Sequence, residues 1–488
     1  KIVQVNIQSK NYFGARHGLE TLSQLIVWDD LLSSLIIASD VQINDDQPSF
    51  KYRGVMLDLS RHFLPIEVIE RTIRSMSYNK LNVLHLHLSD TASFPLQVNN
   101  QPNLTDYGAY SEFEIYTHEQ IQYLFNYATS HGVIILPEID TPAHVSAGWQ
   151  WGDDTTIGPL TLCSDPNGYG GDQWLTDSLE PPSGQLNLAN SNIYPILKDI
   201  YSDIIKKFAS SSGIIHLGGD EVIVGSDEDW AACYNSSTLG EPIITMIENL
   251  GLSRNDPESF YLVWQNFTKI ITQLSLDSFQ ELSPQITPKF HFWGGAGEST
   301  VTYNLINRPD VTDTLPPNLF TIQVWDDSSD SITKRLIKKG YNIILSNTDY
   351  VYLDCGNAGP TNPGGYWCQP YHEWYHIYNY INDIVNKWEL SNEQLQKIQG
   401  SETLPWGEMI DQTNIDQKLW PRTSALAEAL WRGPEATKAS GGWYGADPRM
   451  QQWRNLLVKR GISAEALQPQ WCQQREAYAC TINSGVPQ

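Results

Sequence analysis

The chain has 488 residues, 41% of them hydrophobic, with a formal net charge of −25 and a pI near 4.7. That length holds one large domain plus a smaller one, and the apolar content supports an ordinary globular core. So acidic a surface repels phosphate backbones, which argues against a nucleic-acid partner, and no run of eighteen apolar residues is present to span a membrane.

Residues 1–50 combine a strand-like stretch at 2–9 with a helical pattern at 18–35, a unit too short to fold alone. From about Tyr52 short apolar runs alternate with amphipathic patterns. Strands are predicted to begin near Tyr52, Leu81, Val133, Gly213, Pro288, Leu319, Tyr341 and Ile398. Helices are predicted over 65–80, 119–131, 193–208, 258–274, 331–339 and 420–431. In the first, Ile66, Ile69, Ile73 and Met76 mark one apolar face behind Pro65. Eight strands with intervening helices predict a (β/α)₈ TIM barrel, with a doubly wound sheet as the rival. A further helix over 449–460 is expected to pack on the barrel.

Polar and aromatic residues gather where each predicted strand ends. They are Asp58 and Arg61, His87 and Asp90, Glu138 and Asp140 with His144 beyond, and Asp220 and Glu221. Then follow Trp293, Trp325 and Asp326, Asn347 and Asp349, and Trp406 and Glu408. This is the pattern of an active site on the C-terminal face of such a barrel, where loops carry the chemistry. Long segments after strands three, four and seven are expected to line it, and Gly356-to-Gly365 reads as a lid or wall.

The most informative segment is His216-Leu-Gly-Gly-Asp-Glu221. A buried strand ends in a tight turn that presents two adjacent carboxylates. Neighbouring carboxylates in a cleft cannot both ionise cheaply, so one is expected to keep its proton, which supplies an acid beside a base. The two glycines by themselves are a weak phosphate-loop signal, and the helix start with Lys that such a loop needs is missing.

None of the six cysteines (Cys163, Cys233, Cys355, Cys368, Cys472, Cys480) sits in a CxxC pair, which argues against zinc and thioredoxin chemistry and suits disulfides in an exported protein. Close spacing suggests Cys355–Cys368 and Cys472–Cys480, leaving Cys163–Cys233, with other pairings open. Sequons at Asn103, Asn235 and Asn266 support export, each weakly. The chain begins at Lys1 without a charged-then-apolar leader, which does not exclude export. With 17 Trp and 24 Tyr, it is rich in rings that stack on sugars, although such rings also fill cores.

At these residues the chain resembles glycoside hydrolase family 20 β-N-acetylhexosaminidases of the secreted or lysosomal eukaryotic kind. The matching motifs are Arg53-Gly…Asp58…Arg61-His62, His85-Leu-His-Leu-Ser-Asp90, Pro137-Glu-Ile-Asp-Thr-Pro-Ala-His144, His216-to-Glu221, Gln323-Val-Trp325, Tyr352-Leu-Asp354, Trp406-Gly-Glu408 and Leu419-Trp-Pro-Arg422. They run in family order, and the resemblance covers about residue 11 to Cys480. It implies three parts: residues 1–50 as the remnant of a small α/β N-terminal domain, 51–440 as the barrel, and 441–488 as a helix with a disulfide-closed tail. The earlier strands of that first domain are absent here, with trimming and processing both open.

The resemblance implies exo-acting release of terminal β-linked N-acetylglucosamine, and often N-acetylgalactosamine, without cofactor or metal. The substrate's own acetamide oxygen attacks the anomeric carbon and forms an oxazolinium ion, a recognised exception to the two-carboxylate scheme. Residue by residue, Glu221 would be the general acid and base, and Asp220 would hold the acetamide N–H. Tyr352 would bond the acetamide oxygen; Trp293, Trp325 and Trp406 would box the methyl group and the sugar face. Asp90 and His144 would orient and tune the acid. Arg61, Glu408 and Asp354 would hold hydroxyls. Trp367, with Leu179 and Glu180, would wall the second sugar's subsite, as in chitin-processing members.

Each residue also has a plainer use: a helix cap for Asp220, a salt bridge for Arg61, core packing for any one Trp, loop bracing for Trp367. Two departures, Pro405 beside Trp406 and Leu86 between the histidines, bear on substrate preference rather than reaction class. A transglycosylating enzyme and a non-catalytic carbohydrate-binding barrel are the alternative functions. A homodimer follows only from the resemblance.

Overall fold

The computed structural model describes residues 3–29, 31–153, 155–164, 178, 181–210, 212–222, 233–234, 240–295, 311–329, 332–357, 368–473 and 480. Its centre is a closed barrel of eight strands: β1 (Tyr52–Asp58), β2 (Val83–His87), β3 (Ile134–Glu138), β4 (Ile214–His216), β5 (Lys289–Gly294), β6 (Phe320–Val324), β7 (Asn342–Leu345) and β8 (Ile398–Thr403). Every strand runs parallel to the next, and β8 closes on β1 with Gly400 opposite Tyr52. A side chain at Gly400 would meet the Tyr52 carbonyl oxygen at 1.7 Å, so only glycine lets the two edges join there. Each strand starts within two residues of its expected position.

The helix Ile66–Tyr78 follows β1 and buries Ile69, Ile73 and Met76, three of the apolar positions read from the sequence. Helices His118–Ser130, Ile193–Ile204, Pro257–Leu282, Val311–Thr314, Ile332–Lys338, Trp374–Trp388 and Arg422–Arg432 follow β2 to β8 in turn and complete the outer layer, and their apolar faces join the strands' outward residues in one large core. Leu84, Leu86 and Leu88 belong to that layer. The departure at Leu86 therefore lies outside the barrel's lumen.

Three expectations fail. No strand forms over residues 3–9. The helix expected at 18–35 runs instead over Tyr12–Leu25, because the Asn11 side chain caps it by accepting from the Gly14 N–H. An antiparallel hairpin, Val27–Asp29 with Ser34–Ile36, takes up the rest, its turn held by the Leu32 N–H on Asp29 Oδ1. The last long helix starts at Gly442, well before the expected residue 449, and carries Pro448 inside. Packing of Ala446 and Met450 against Trp374 and Tyr378 outweighs proline's local preference. All three expected disulfides are present: Cys163–Cys233, Cys355–Cys368 and Cys472–Cys480.

The lumen is layered. Tyr52, Val83, Leu136 and Ile344, with Ile214, form an apolar floor. Above it the alternation of strand side chains turns in His85, Glu138, His216, His291, Gln323 and Glu402, all buried. Glu402 accepts from the Tyr52 hydroxyl, the Gln323 amide and His85 Nδ1 (2.9 Å). His85 Nε2 in turn lies 3.1 Å from Glu138 Oε2. Burial alone would lower the His85 pKa, but the carboxylates of Glu402 and Glu138 raise it to about 9. His87 is raised well above the usual range against the same burial, by Glu138 and Asp90, and Glu138 is held well below the carboxylate range by His216, His87 and His85.

These shifts make the fold's stability depend on pH. His85 stays charged in the folded chain up to about 9 but unfolds to a group of 6.5, so its contribution is complete below pH 6.5 and lost as pH rises through 9. Glu138 is depressed below 4.5, so its contribution is present above pH 4.5 and lost below. Denaturant midpoints are expected to fall as pH rises from 6.5 towards 9, His85 alone accounting for up to about 3 kcal/mol. A midpoint that is flat or rising from pH 6.5 to 9 contradicts a charged lumen.

Candidate active site

At the C-terminal end of β4 the chain turns through Leu217-Gly-Gly-Asp-Glu221. Gly218 and Gly219 sit at φ +67° and +96°, and a side chain on either would collide, with Asp140 Oδ1 and the Phe292 ring respectively, each at 2.0 Å. The Gly219 N–H donates to Asp140 Oδ1 (2.9 Å). Glu221 and His144 also hold left-handed backbone, at φ +50° and +58°. Two non-glycine residues in that strained region, facing one another, mark a site that the surrounding fold has forced into shape.

Glu221 Oε2 lies 3.0 Å from His144 Nε2, and His144 Nδ1 lies 3.3 Å from Asp90 Oδ2. Burial would lower the His144 pKa, but Asp90 and Glu221 hold it well above the imidazole range. Asp90 takes Arg61 Nη2 at 3.0 Å on the same oxygen and is held well below the carboxylate range, against its burial, by Arg61, His144 and His87. Asp58 shapes the neighbouring corner: its Oδ1 accepts the Ser60 and Arg61 amides (3.0 Å each) and its Oδ2 accepts the Gly407 amide at 3.0 Å.

Asp220 faces Asp140. Burial and the charge of Asp220 push the Asp140 carboxyl well up, and a side-chain hydrogen bond joins the two. Asp140 is thus a third acid drawn into the pair's surroundings, its carboxyl pushed up, while Glu221 turns to His144. Local sequence could not foretell this, because Asp140 comes from the end of β3.

The aromatic side forms around Trp406. Its ring lies 6.0 Å from Trp293, 6.3 Å from Tyr352 and 5.1 Å beneath the Arg61 guanidinium. Tyr352 is pushed well above the phenol range by burial, despite a hydrogen bond with Trp406, and Asp354, Asp220 and Glu221 add to the rise. The charges of Asp220 and Glu221 therefore reach the Tyr352 hydroxyl. Trp325 and Glu408 sit half-buried just beyond β6 and β8, and Asp354 is buried beside the Cys355–Cys368 bridge.

Leu179, Glu180, Trp367 and Asn235 lie outside the described residues, as does most of the Gly356-to-Gly365 stretch. Asn266 is exposed on the helix Pro257–Leu282, and Asn103 is half-buried at the start of Asn103–Gly108.

Sequence reasoning missed the parts played by Asp140, Glu138, His85, His87 and Glu402. The period of two in His85-Leu-His87 and Glu138-Ile-Asp140 was the available signal, since it turns each pair inward. Three lumen groups bring ligand-type atoms within 4.8 Å of one another: His85/Glu138/His216, His87/Glu138/Asp140 and Asp90/Asp140/His144. Their charges already compensate one another as ion pairs.

The sequence profile of the catalytic domain of glycosyl hydrolase family 20 matches residues 50–434. The chain belongs to glycosyl hydrolase family 20. This family 20 glycoside hydrolase is 37% identical over 479 residues to a "chitooligosaccharidolytic beta-N-acetylglucosaminidase" of Ostrinia furnacalis, covering 98% of this chain and 72% of that protein. It is also 37% identical, over 474 residues, to the like-named protein of Bombyx mori, covering 97% and 72%. Among solved structures, an exo-β-N-acetylglucosaminidase of Vibrio harveyi in complex with N-acetylglucosamine superposes with a TM-score of 0.64 at 21% identity. That match covers 93% of this chain and 64% of the other, and it bears on the fold alone.

Gly219→Ala is expected to destabilise this glycosidase by on the order of 2–4 kcal/mol, through overpacking against Phe292 and a forced positive φ. Gly251→Ala is the comparison, because it shares the sign of φ but has nothing within 4 Å, and it is expected to cost about 1 kcal/mol. Equal denaturant midpoints for the two variants contradict the close approach at Gly219.

Proposed function

We propose that this glycosidase is an exo-acting, retaining β-N-acetylhexosaminidase. It releases terminal β-linked N-acetylglucosamine from chitooligosaccharides or glycoconjugates by substrate-assisted catalysis. One observation supports the reading: the charges of Asp220 and Glu221, at the end of β4, reach Tyr352, at the end of β7, whose ring lies 6.3 Å from Trp406, itself 6.0 Å from Trp293. The naming of the two moth relatives as chitooligosaccharidolytic supports chitin-derived oligomers as substrates.

The sugar's acetamide lies among the three. Tyr352 donates to the acetamide oxygen, and Asp220 accepts from its N–H, orienting that oxygen beneath C1. Asp140, its carboxyl pushed up by burial and by Asp220, hydrogen-bonds Asp220 and fixes the acid that faces the substrate. The acetamide oxygen forms a bond to C1 as the glycosidic C1–O bond breaks, and Glu221 delivers its proton to the departing oxygen. Asp220 offsets the positive charge of the oxazolinium ion. Water then adds to C1 as Glu221 takes its proton, restoring the acetamide with retained configuration. Imidazolium at His144 stabilises the Glu221 carboxylate between the two steps. Arg61, held by Asp58 and Asp90, presents its guanidinium to sugar hydroxyls, with Asp354 and Glu408 towards C6 and C4. Trp325 adds a wall to the acetamide pocket, and the family resemblance assigns Trp367, Leu179 and Glu180, outside the described residues, to the second sugar.

Three disulfides support a secreted or lysosomal location, since such bonds persist in oxidising compartments. Asn103, Asn235 and Asn266 are the candidate glycan acceptors. No described helix is long and apolar enough to cross a membrane.

Glu221→Gln is expected to lower kcat/KM on an aryl β-N-acetylglucosaminide with a poor leaving group by about 10²–10⁴-fold while the fold persists. The matching glucoside, lacking the 2-acetamido group, is expected to react slower by at least as much. Comparable rates on the two sugars sink the substrate-assisted reading. Asp140→Asn, which keeps a donor towards Asp220 and an acceptor for Gly219, is expected to stay within about tenfold of the wild type. Asp140→Leu, which leaves Asp220 without its partner, is expected to lose about 100-fold. Equal losses for the two variants remove the proton on Asp140 from the account.

A further inference from the structure

Glu138 lies one layer below the acids and touches none of the space assigned to the sugar. It is fully buried on β3, yet its two oxygens reach both halves of the site. Oε1 accepts from the indole N–H of Trp293, the ring that walls the acetamide pocket beside Trp406. Oε2 lies 2.6 Å from His87 Nδ1. From there the contacts continue outward: His87 Nε2 to Asp90 Oδ2 at 3.2 Å, Asp90 to His144 at 3.3 Å, and His144 to Glu221 at 3.0 Å.

We propose that Glu138 is a positioning residue that serves both halves of the reaction at once. It fixes the Trp293 ring for the acetamide and, through His87 and Asp90, the His144–Glu221 pair for proton transfer. The inference rests on the substrate-assisted reading above and deepens it.

The physical argument turns on the cost of alternatives. An indole N–H in this lumen without an acceptor would lose a buried hydrogen bond, so Trp293 is confined to the orientation that meets Oε1. His87 bridges two carboxylates and holds both ring protons, which leaves its plane no freedom to rotate. Each group between Glu138 and Glu221 is therefore set by the next. A charged acceptor at the root strengthens every donor bond made to it, roughly twofold over a neutral one. A side chain there of the same shape but without charge would keep the packing and loosen both branches.

The branches separate experimentally. Glu138→Gln keeps the shape and removes the charge from both. His87→Asn keeps a donor towards Glu138, since its amide nitrogen falls near the Nδ1 position, but loses the contact with Asp90. Folding is checked by circular dichroism and by the denaturant midpoint. The kinetic comparison uses a 2,4-dinitrophenyl β-N-acetylglucosaminide, whose leaving group needs little protonation, and a 4-methylphenyl one, whose leaving group needs it fully. Affinity for a thiazoline mimic of the intermediate reports the acetamide branch.

For His87→Asn the expectation is a kcat/KM loss of about 100-fold on the poor leaving group and no more than about threefold on the good one, with thiazoline affinity lowered by no more than about threefold, since the His87 ring also meets Trp406 edge-on at 5.2 Å. Glu138→Gln is expected to reproduce that leaving-group dependence and also to weaken thiazoline binding by about tenfold. A loss that is uniform across leaving groups, or thiazoline affinity unaltered in Glu138→Gln, overturns the proposal. Should Glu138→Gln fail to fold, His87→Asn decides alone: a leaving-group-dependent loss supports the relay, and a loss uniform across leaving groups, or none, overturns it. Glu221→Gln run alongside keeps the two readings apart. If it retains wild-type turnover, the substrate-assisted reading fails whatever Glu138 does. If it is inactive while Glu138→Gln and His87→Asn behave as wild type, only the present proposal fails.

Discussion

A carboxylate sealed inside a barrel survives only if donors surround it, and Glu138 has an indole N–H and three imidazoles within reach. Removed from water alone, such a charge would cost several kcal/mol. Here the cost is met by alternation of acid and imidazole, from Glu402 at the base through His85, Glu138 and His87 to Asp90 near the rim. Taking away one member would strand its neighbours, so the series orders itself. The apolar floor beneath and the leucine layer outside keep water from screening it.

That internal order explains how strained backbone persists at the rim. Glu221 and His144 adopt left-handed conformations that non-glycine residues rarely take. Gly218 and Gly219 let the chain pass so close to Asp140 and Phe292 that no other residue fits. The strain is held because both ends of the loop are anchored, one by the Gly219 amide on Asp140 and the other by the contact between Glu221 and His144. Preorganisation of this kind is what a reaction through a charged intermediate requires, because the dipoles stand in place before charge develops. The two acids are adjacent in the chain yet belong to different partners: Asp220 to a protonated carboxyl, Glu221 to an imidazolium.

Much of this was legible beforehand. The apolar runs located eight strands to within two residues, since burial on both faces leaves a continuous hydrophobic signature. Charged and aromatic residues at the strand ends marked the rim, and cysteine spacing anticipated the bridges. The failures lie where local preference met competition. At the N-terminus, Asn11 and Asp29 determined helix start and turn through single side-chain bonds that hydrophobic periodicity does not register. At Gly442–Lys459, tertiary packing carried a helix back through a proline.

By itself the sequence determined the element order, the barrel, the family motifs and the set of residues gathered at one rim, because periodicity and spacing are local properties of the chain. Only the tertiary structure decided which of those residues face one another. Asp140 and Asp220 come from different strands, as do Glu138 and Trp293, or Asp90 and His144. Whether a carboxyl keeps or gives up its proton depends on the charges across a few ångströms of dry interior, and those distances exist only once the barrel has closed.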